Sequence, residues 1–141
     1  MLYGFSGNIL HVNLTTGALE TEHPDEAFYR KYMGGSALGL HYLLKLMPPK
    51  ADALSPENVL VFALGATTGA AISGQARITT VAKSPLTGGI GDSQAGGFFP
   101  AEMKYAGFDA IVFMGKSPKP VYLWMHDGQA ELRDASHLWG K

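Results

Sequence analysis

Strand pairs closed by tight turns, separated by short helical stretches and glycine-rich connections, predict a single domain of mixed helix and strand. The length of 141 residues fits one domain or one part of a larger one. A chain of this size can bury roughly two-thirds of its unfolded surface, enough for a true core. Charged residues are only 16% while hydrophobic residues are 46%, against roughly 25% charged in an average soluble domain. Few charges beside an ordinary apolar content imply that part of the surface is covered by something else.

The elements follow in order. Asn8 to Leu14 alternates, with Leu10, Val12 and Leu14 on one face; Thr15-Thr16-Gly17 turns the chain and Ala18 to His23 returns it as a hairpin. Pro24-Asp25-Glu26 opens a helix that reaches about Met33 and stops at Gly34-Gly35. A second helix runs from about Ser36 to Leu46, with Leu40, Leu43, Leu44 and Met47 as its apolar stripe, and Pro48-Pro49 ends it. Val59 to Leu64 is a continuous apolar run, as in a strand covered on both faces. Gly65 to Gln75 reads as a loop, Ala76 to Lys83 as a strand, and Ser84 to Gly97 as a second, glycine-rich loop. Phe98 to Ala106 has Pro100 near a first helical turn and Gly107 beyond its end. Asp109 to Met114 and Val121 to His126 are strands, and Asp127-Gly128 turns the latter into Gln129 to Arg133. Asp134-Ala135-Ser136 has the chemistry of a helix cap, but only His137 to Lys141 follows. That leaves almost no length to bury Trp139, so a fragment of a longer protein is expected.

Several function classes are excluded. Eleven basic against 12 acidic residues leave a net charge of -1, with no footprint for nucleic acid and no polybasic membrane patch. The longest apolar run, Val59 to Leu64, is far short of the roughly 18 residues of a membrane span. Met1-Leu2-Tyr3-Gly4 lacks the basic start of a secretory leader, so a cytoplasmic location is expected and the sequon at Asn13 carries no weight. The absence of cysteine removes a thiol nucleophile, a cysteine zinc site and any iron–sulfur cluster held by this chain. His11, His23, His41, His126 and His137 have none of the local spacings of metal ligands, and no Gly-x-Ser-x-Gly elbow is present.

Three features retain chemical interest. Gly69 to Gly74 has the glycine spacing of a phosphate-binding loop, yet Gln75 and Ala76 stand where that loop needs lysine and a magnesium-binding hydroxyl. A nucleotide-binding protein is thus a weak reading, tested by magnesium-dependent ATP binding. Arg77 lies among Ile78, Thr79, Thr80 and Val81, directly after the glycine-rich loop. It is either a solvated strand arginine or a fixed guanidinium aimed at an anion or an electron-rich ring. Ser93-Gln94-Ala95-Gly96-Gly97 leads into the helix containing Pro100. Small residues there allow close backbone approach, and the helix start favours negative charge. Together they describe a shallow floor for an anion or a cofactor.

At this point the sequence resembles a known family. The resemblance is carried by Gly7 to Leu14 with Thr16-Gly17, by Leu54-Ser55-Pro56-Glu57-Asn58, by Arg77 to Gly88 with its Lys83-Ser84-Pro85-Leu86-Thr87-Gly88, by Ala95-Gly96-Gly97-Phe98-Phe99, by Ala101 to Ala110, and by Arg133 to Gly140. In this order they are similar to the N-terminal domain of the tungsten-containing aldehyde ferredoxin oxidoreductases, over essentially the whole of residues 1–141. The resemblance implies an α+β domain built around antiparallel sheets with a few helices, forming a base under a bis-pterin cofactor that holds tungsten or molybdenum. It implies oxidation of aldehydes to carboxylic acids, with ferredoxin as electron acceptor. A [4Fe-4S] cluster would be held by later, mostly helical domains of the same enzyme, so this chain alone is expected to be inactive, and a homodimer is possible. By position, Arg77 matches the family arginine between pterin and cluster, and Gln94, Ala95 and Gly96 match a pterin-binding loop. Gln94 replaces the usual asparagine and Ala95 the usual serine. The alternative is a free-standing pterin-binding or assembly module that works with a separate catalytic chain.

Overall fold

The computed structural model describes residues 4–141; Met1 to Tyr3, the start of the segment read for a leader, lie outside the described residues. The elements run β1 (Ile9–Asn13), β2 (Leu19–Glu22), α1 (Glu26–Tyr32), α2 (Gly35–Leu46), β3 (Leu60–Leu64), β4 (Ile78–Lys83), β5 (Ile90–Ala95), α3 (Phe98–Tyr105), β6 (Ala110–Met114), β7 (Val121–His126), β8 (Gln129–Asp134) and a 3-10 turn at Ser136–Leu138. Six strands form one sheet in the order β2-β1-β6-β3-β4-β5, and β7 and β8 form a separate hairpin. The fold is α+β as expected. One correction concerns strand direction: β1 and β6 pair in parallel while every other pair is antiparallel. β6 enters between β1 and β3, and backbone bonds from Asp109 to Asn8 and from Leu14 to Met114 lengthen the parallel ladder at both ends.

The central strands are apolar on both faces because both faces are covered. On one face Ile9, Val61, Ala63, Val81, Ala110 and Val112 pack with Tyr29 of α1 and with Leu38, Tyr42 and Leu43 of α2. On the other, Leu10, Val12, Leu64, Ile78 and Ile111 pack with Met103 of α3, and Leu123, Met125, Ala130 and Leu132 of the β7–β8 hairpin lie against them. The continuous run Val59 to Leu64 thus lies where its pattern suggests.

Asp25 caps α1 by accepting the Phe28 N–H, and the helix ends one residue earlier than expected, with Met33 in the left-handed conformation. The stripe of α2 is also rotated from the expected one: Leu38, Gly39, Tyr42 and Leu43 are buried, whereas Leu44 is exposed. Gly39 explains the rotation. A glycine inside a helix costs about 1 kcal/mol relative to alanine, but a Cβ here would stand 2.5 Å from Val81 Cγ2. The bare backbone at Gly39 is what lets α2 lie close on β4.

Two further expectations are corrected. Arg77 is not in a strand, since β4 begins at Ile78. The stretch from Ser84 to Gly97 is not all loop: Ile90–Ala95 forms β5, the edge of the sheet, in register with β4 from Ile78↔Ala95 to Lys83↔Ile90.

Candidate cofactor site

The candidate residues collect where the β4–β5 ladder ends. Ile78↔Ala95 is its last pair, so Arg77 and Gly96 continue from the same end. A Cβ added to Gly96 would stand 3.3 Å from the carbonyl oxygen of Ala76, so these two backbones are nearly in contact. Gln94 and Ala95 are neighbours in a strand and therefore point to opposite faces. Gln94 lies opposite Thr79, whose hydroxyl is directed at α2, and Ala95 lies opposite Ile78, on the face of α3. Arg77, Ala95 and Gly96 are thus brought together at one strand end, and Gln94 joins them only from the reverse face.

Arg77 is exposed, and among the described residues no carboxylate pairs with it. Its guanidinium is free to meet an anionic ligand. From Ala95 the same face continues along β5 as Ser93 and Gly91, facing Thr80 and Ala82 of β4. These small side chains, with Lys83, Ser84, Pro85 and Asp92, line an open concavity of about 270 Å³ toward the far end of the ladder, and Arg77, Gln94, Ala95 and Gly96 are not part of its lining. At the near end α3 begins at Gly97, which offers no side-chain cap to the first-turn N–H groups. At the Arg77 end, a guanidinium without a carboxylate partner, the small residues Ala95 and Gly96 and a helix start with no side-chain cap suit an anionic, hydrogen-bonding ligand.

The phosphate-loop reading finds no support. The segment from Gly65 to Arg77 joins strand β3 to strand β4, and the phosphate-binding loop needs a helix after it. Gln75 turns back into its own loop, where its Oε1 accepts the Gly69 N–H at 2.7 Å. Among the described residues no cluster of His, Asp or Glu is arranged to hold a metal ion.

One buried polar centre anchors α3, which carries Lys104, and is not legible in the sequence. Asp109, at 1% exposure, accepts the N–H groups of Ser6 (3.0 Å) and Gly7 (2.7 Å), the Tyr29 hydroxyl (3.0 Å) and the Lys104 ammonium (2.6 Å). Lys104 also donates to the Gly4 carbonyl at 2.9 Å. Burial and then the Asp109 carboxylate push the Tyr29 phenol well above its ordinary value, so it stays protonated and donates. This centre ties α3, α1 and the segment before β1 to the start of β6. An acidic residue before a strand and a lysine in a helix carry no sign of such a junction, because the partners are scattered along the chain.

Residues 9–141 match the model of the aldehyde ferredoxin oxidoreductase N-terminal domain. The chain belongs to that family. Over 140 residues and 99% of its length it is 48% identical to the tungsten-containing aldehyde ferredoxin oxidoreductases of Pyrococcus abyssi and Pyrococcus furiosus. It is 34% identical over 142 residues to the WOR-like subunit of an aliphatic sulfonate oxidoreductase of Pyrococcus furiosus. A solved structure, the active-site complex BamBC of benzoyl coenzyme A reductase with 1,5-dienoyl-CoA, superposes on the whole chain with a TM-score of 0.95 at 41% identity and is covered over 22% of its own chain. The chain spans only 23% of the length of the aldehyde ferredoxin oxidoreductases it matches. Those relatives are oxidoreductases of which this aldehyde ferredoxin oxidoreductase N-terminal domain is one part. No described helix is long and apolar enough to cross a membrane.

Proposed function

We propose that this chain is the N-terminal, pterin-binding portion of a tungsten or molybdenum oxidoreductase that oxidises aldehydes to carboxylic acids and passes the electrons to ferredoxin. The observation that carries the reading is 48% identity across 99% of the chain to aldehyde ferredoxin oxidoreductases, together with an unpaired Arg77 at the end of a small-residue sheet floor. When bound, the metal–pterin group supplies the oxidation and reduction chemistry. The part of this chain is to bind it, orient it and set its electrostatics. Arg77 gives charge-assisted hydrogen bonds to an electron-rich ligand. Gly96 lets the backbone come close, and Ala95 leaves room above the sheet. Gln94, on the reverse face, reaches only a ligand that extends across the end of β5. The iron–sulfur cluster is assigned to later domains, since this chain has no cysteine.

The test is to produce the protein with all coding sequence that follows in frame, and to measure pterin, tungsten and molybdenum per chain. Aldehyde-dependent reduction of ferredoxin is then compared with an alkyl sulfonate and with a coenzyme A thioester. Pterin with aldehyde turnover supports the reading, and a protein free of pterin overturns it. A second reading is a tungsten or molybdenum reductase acting on an aromatic coenzyme A thioester, favoured by the 41% identity and full-length superposition on the benzoyl coenzyme A reductase component. Turnover of the thioester alone would select it.

A further inference from the structure

The segment that delivers Arg77 has little apolar anchorage. Between Gly65 and Arg77 only Thr68 is buried, and Ala70 to Gly74 are exposed. Its shape is held instead by polar bonds that converge on Gly69 and on the Arg77 backbone. Thr68 Oγ1 accepts the Gly65 N–H and donates to the Arg77 carbonyl, both at 3.2 Å. Gly69 is held at both of its polar groups. Its N–H is taken by Gln75 Oε1 at 2.7 Å, and its carbonyl by the Tyr105 hydroxyl at 2.7 Å. The Gln75 carbonyl in turn accepts the Arg77 N–H at 2.9 Å. Tyr105, at the end of α3, thus holds the Gly69 carbonyl, the Gln75 side chain holds the Gly69 N–H, and the Gln75 main-chain carbonyl holds the Arg77 N–H. The approach is close: a Cβ on Gly69 would stand 3.2 Å from Tyr105 Cε1 and 3.3 Å from Lys104 Cγ. Lys104 is itself fixed by the buried Asp109, so α3 is a firm support for the loop.

We propose that Gln75 and Tyr105 are positioning residues for Arg77, setting where its guanidinium meets an anionic, electron-rich cofactor. This deepens the preceding reading and rests on it, since it takes Arg77 as the cofactor-binding group. The arginine side chain has no carboxylate partner among the described residues to orient it, so its aim is inherited from its backbone. That backbone is fixed at its N–H by the main-chain carbonyl of Gln75, whose own side chain is pinned on Gly69, and at its carbonyl by Thr68. Gln75, in the place where a phosphate-binding loop would carry lysine, closes the loop instead of touching phosphate.

The experiment uses the whole protein with its cofactor and compares Gln75→Leu, Gln75→Glu, Tyr105→Phe, Arg77→Ala and the double variant Gln75→Leu with Arg77→Ala. The readouts are the rate of pterin loss on dialysis, the reduction potential of the metal centre, and amide exchange of the peptide covering residues 65–77. Gln75→Leu and Tyr105→Phe are each expected to speed pterin loss on the order of fivefold, the equivalent of one ordinary hydrogen bond. Both should lower the potential in the same direction as Arg77→Ala, because a cation moved from an electron-rich centre no longer favours its reduced form. Both should speed exchange across residues 65–77. Gln75→Glu keeps an acceptor at the same reach and should restore slow exchange across residues 65–77; because it places a carboxylate two residues from Arg77, it is compared on exchange alone. In the Arg77→Ala background, Gln75→Leu should add nothing. If Arg77→Ala speeds pterin loss and Gln75→Leu does not, the positioning role is wrong while the cofactor site stands. The same effect of Gln75→Leu with and without Arg77 also overturns the positioning role. If Arg77→Ala changes neither retention nor potential, the site reading itself fails.

Discussion

A guanidinium that faces solvent without a carboxylate, as at Arg77, contributes little to folding. Arg77→Ala should change the unfolding free energy by no more than about 0.5 kcal/mol, yet weaken a buried anionic cofactor's interaction by roughly 1.5–3 kcal/mol. Denaturation and pterin content measured on one preparation separate the two effects, and equal losses in both would make Arg77 a structural residue. The opposite balance holds at Lys104, whose side chain is 10% exposed beside Asp109 at 2%. Lys104→Met should destabilise the fold by about 3–5 kcal/mol, since it leaves a buried carboxylate short of its cation. A loss below about 1 kcal/mol in urea unfolding would show that the N–H groups of Ser6 and Gly7 suffice. These residues also differ in how far the sequence announces them. Arg77 stands out as a lone charge beside a strand after a glycine-rich loop. Gln75 and Tyr105 do not, because each acts on the backbone of Gly69, and a backbone partner leaves no side-chain pattern. That Gln94 and Ala95 face opposite ways follows only once Ser93 to Ala95 is known to be strand.

Elements were legible where periodicity or turn chemistry was strong. β1 to β3, α1 to α3 and the β7–β8 hairpin fall within a few residues of their expected places. β5 is not legible in the sequence, for a physical reason. As the edge strand of the sheet it is exposed at nearly every position, so Ile90-Gly91-Asp92-Ser93-Gln94-Ala95 has no buried face to generate alternation, and its pairing is imposed by β4. The hydrophobic stripe of α2 is rotated from its buried face because such a stripe does not register close approach by a glycine. Gly39→Leu should therefore push α2 from β4 and cost at least the roughly 1–3 kcal/mol of an overpacked core; an unchanged melting curve would mean that the helix and sheet are less closely packed than described. Where β2 meets α2, Glu22 accepts from His11 Nε2 at 2.8 Å and from the Tyr42 hydroxyl at 3.0 Å. Partial burial acts to raise the Glu22 pKa, but these hydrogen bonds and the Lys45 charge outweigh it and hold it below the ordinary 4.5. A lowered carboxyl pKa adds stability that is present above the unfolded value and is lost as pH falls through the folded one. Unfolding free energy should thus decline below about pH 4.5, and Glu22→Gln should flatten that decline. An identical acid limb in both proteins would remove Glu22 from the account.

Over the whole molecule, several large apolar side chains have no cover: Phe98 is 89% exposed, Leu86 92%, Leu54 82% and Trp139 77%. The chain spans 23% of its relatives, and these side chains are where further protein is expected to pack. Produced by itself, the chain is expected to bind a hydrophobic dye and to associate as its concentration rises. A dye-excluding monomer at millimolar concentration would instead favour a self-sufficient module. The parallel pairing of β1 with β6 bears on how such a molecule is made. Ile9 is matched with Ala110 and Asn13 with Met114, so β1 must wait for a strand that leaves the ribosome much later, with β2, α1, α2, β3, β4, β5 and α3 all emerging in between. Closing so long a loop is slow. Until it closes, β1 offers the β6 side of its backbone to any other strand within reach. The risk of wrong pairing is therefore confined to the interval between the emergence of β1 and that of β6, and Asp109, just before β6 with hydrogen-bond partners in the segment ahead of β1, is placed to close that interval by joining the two strands.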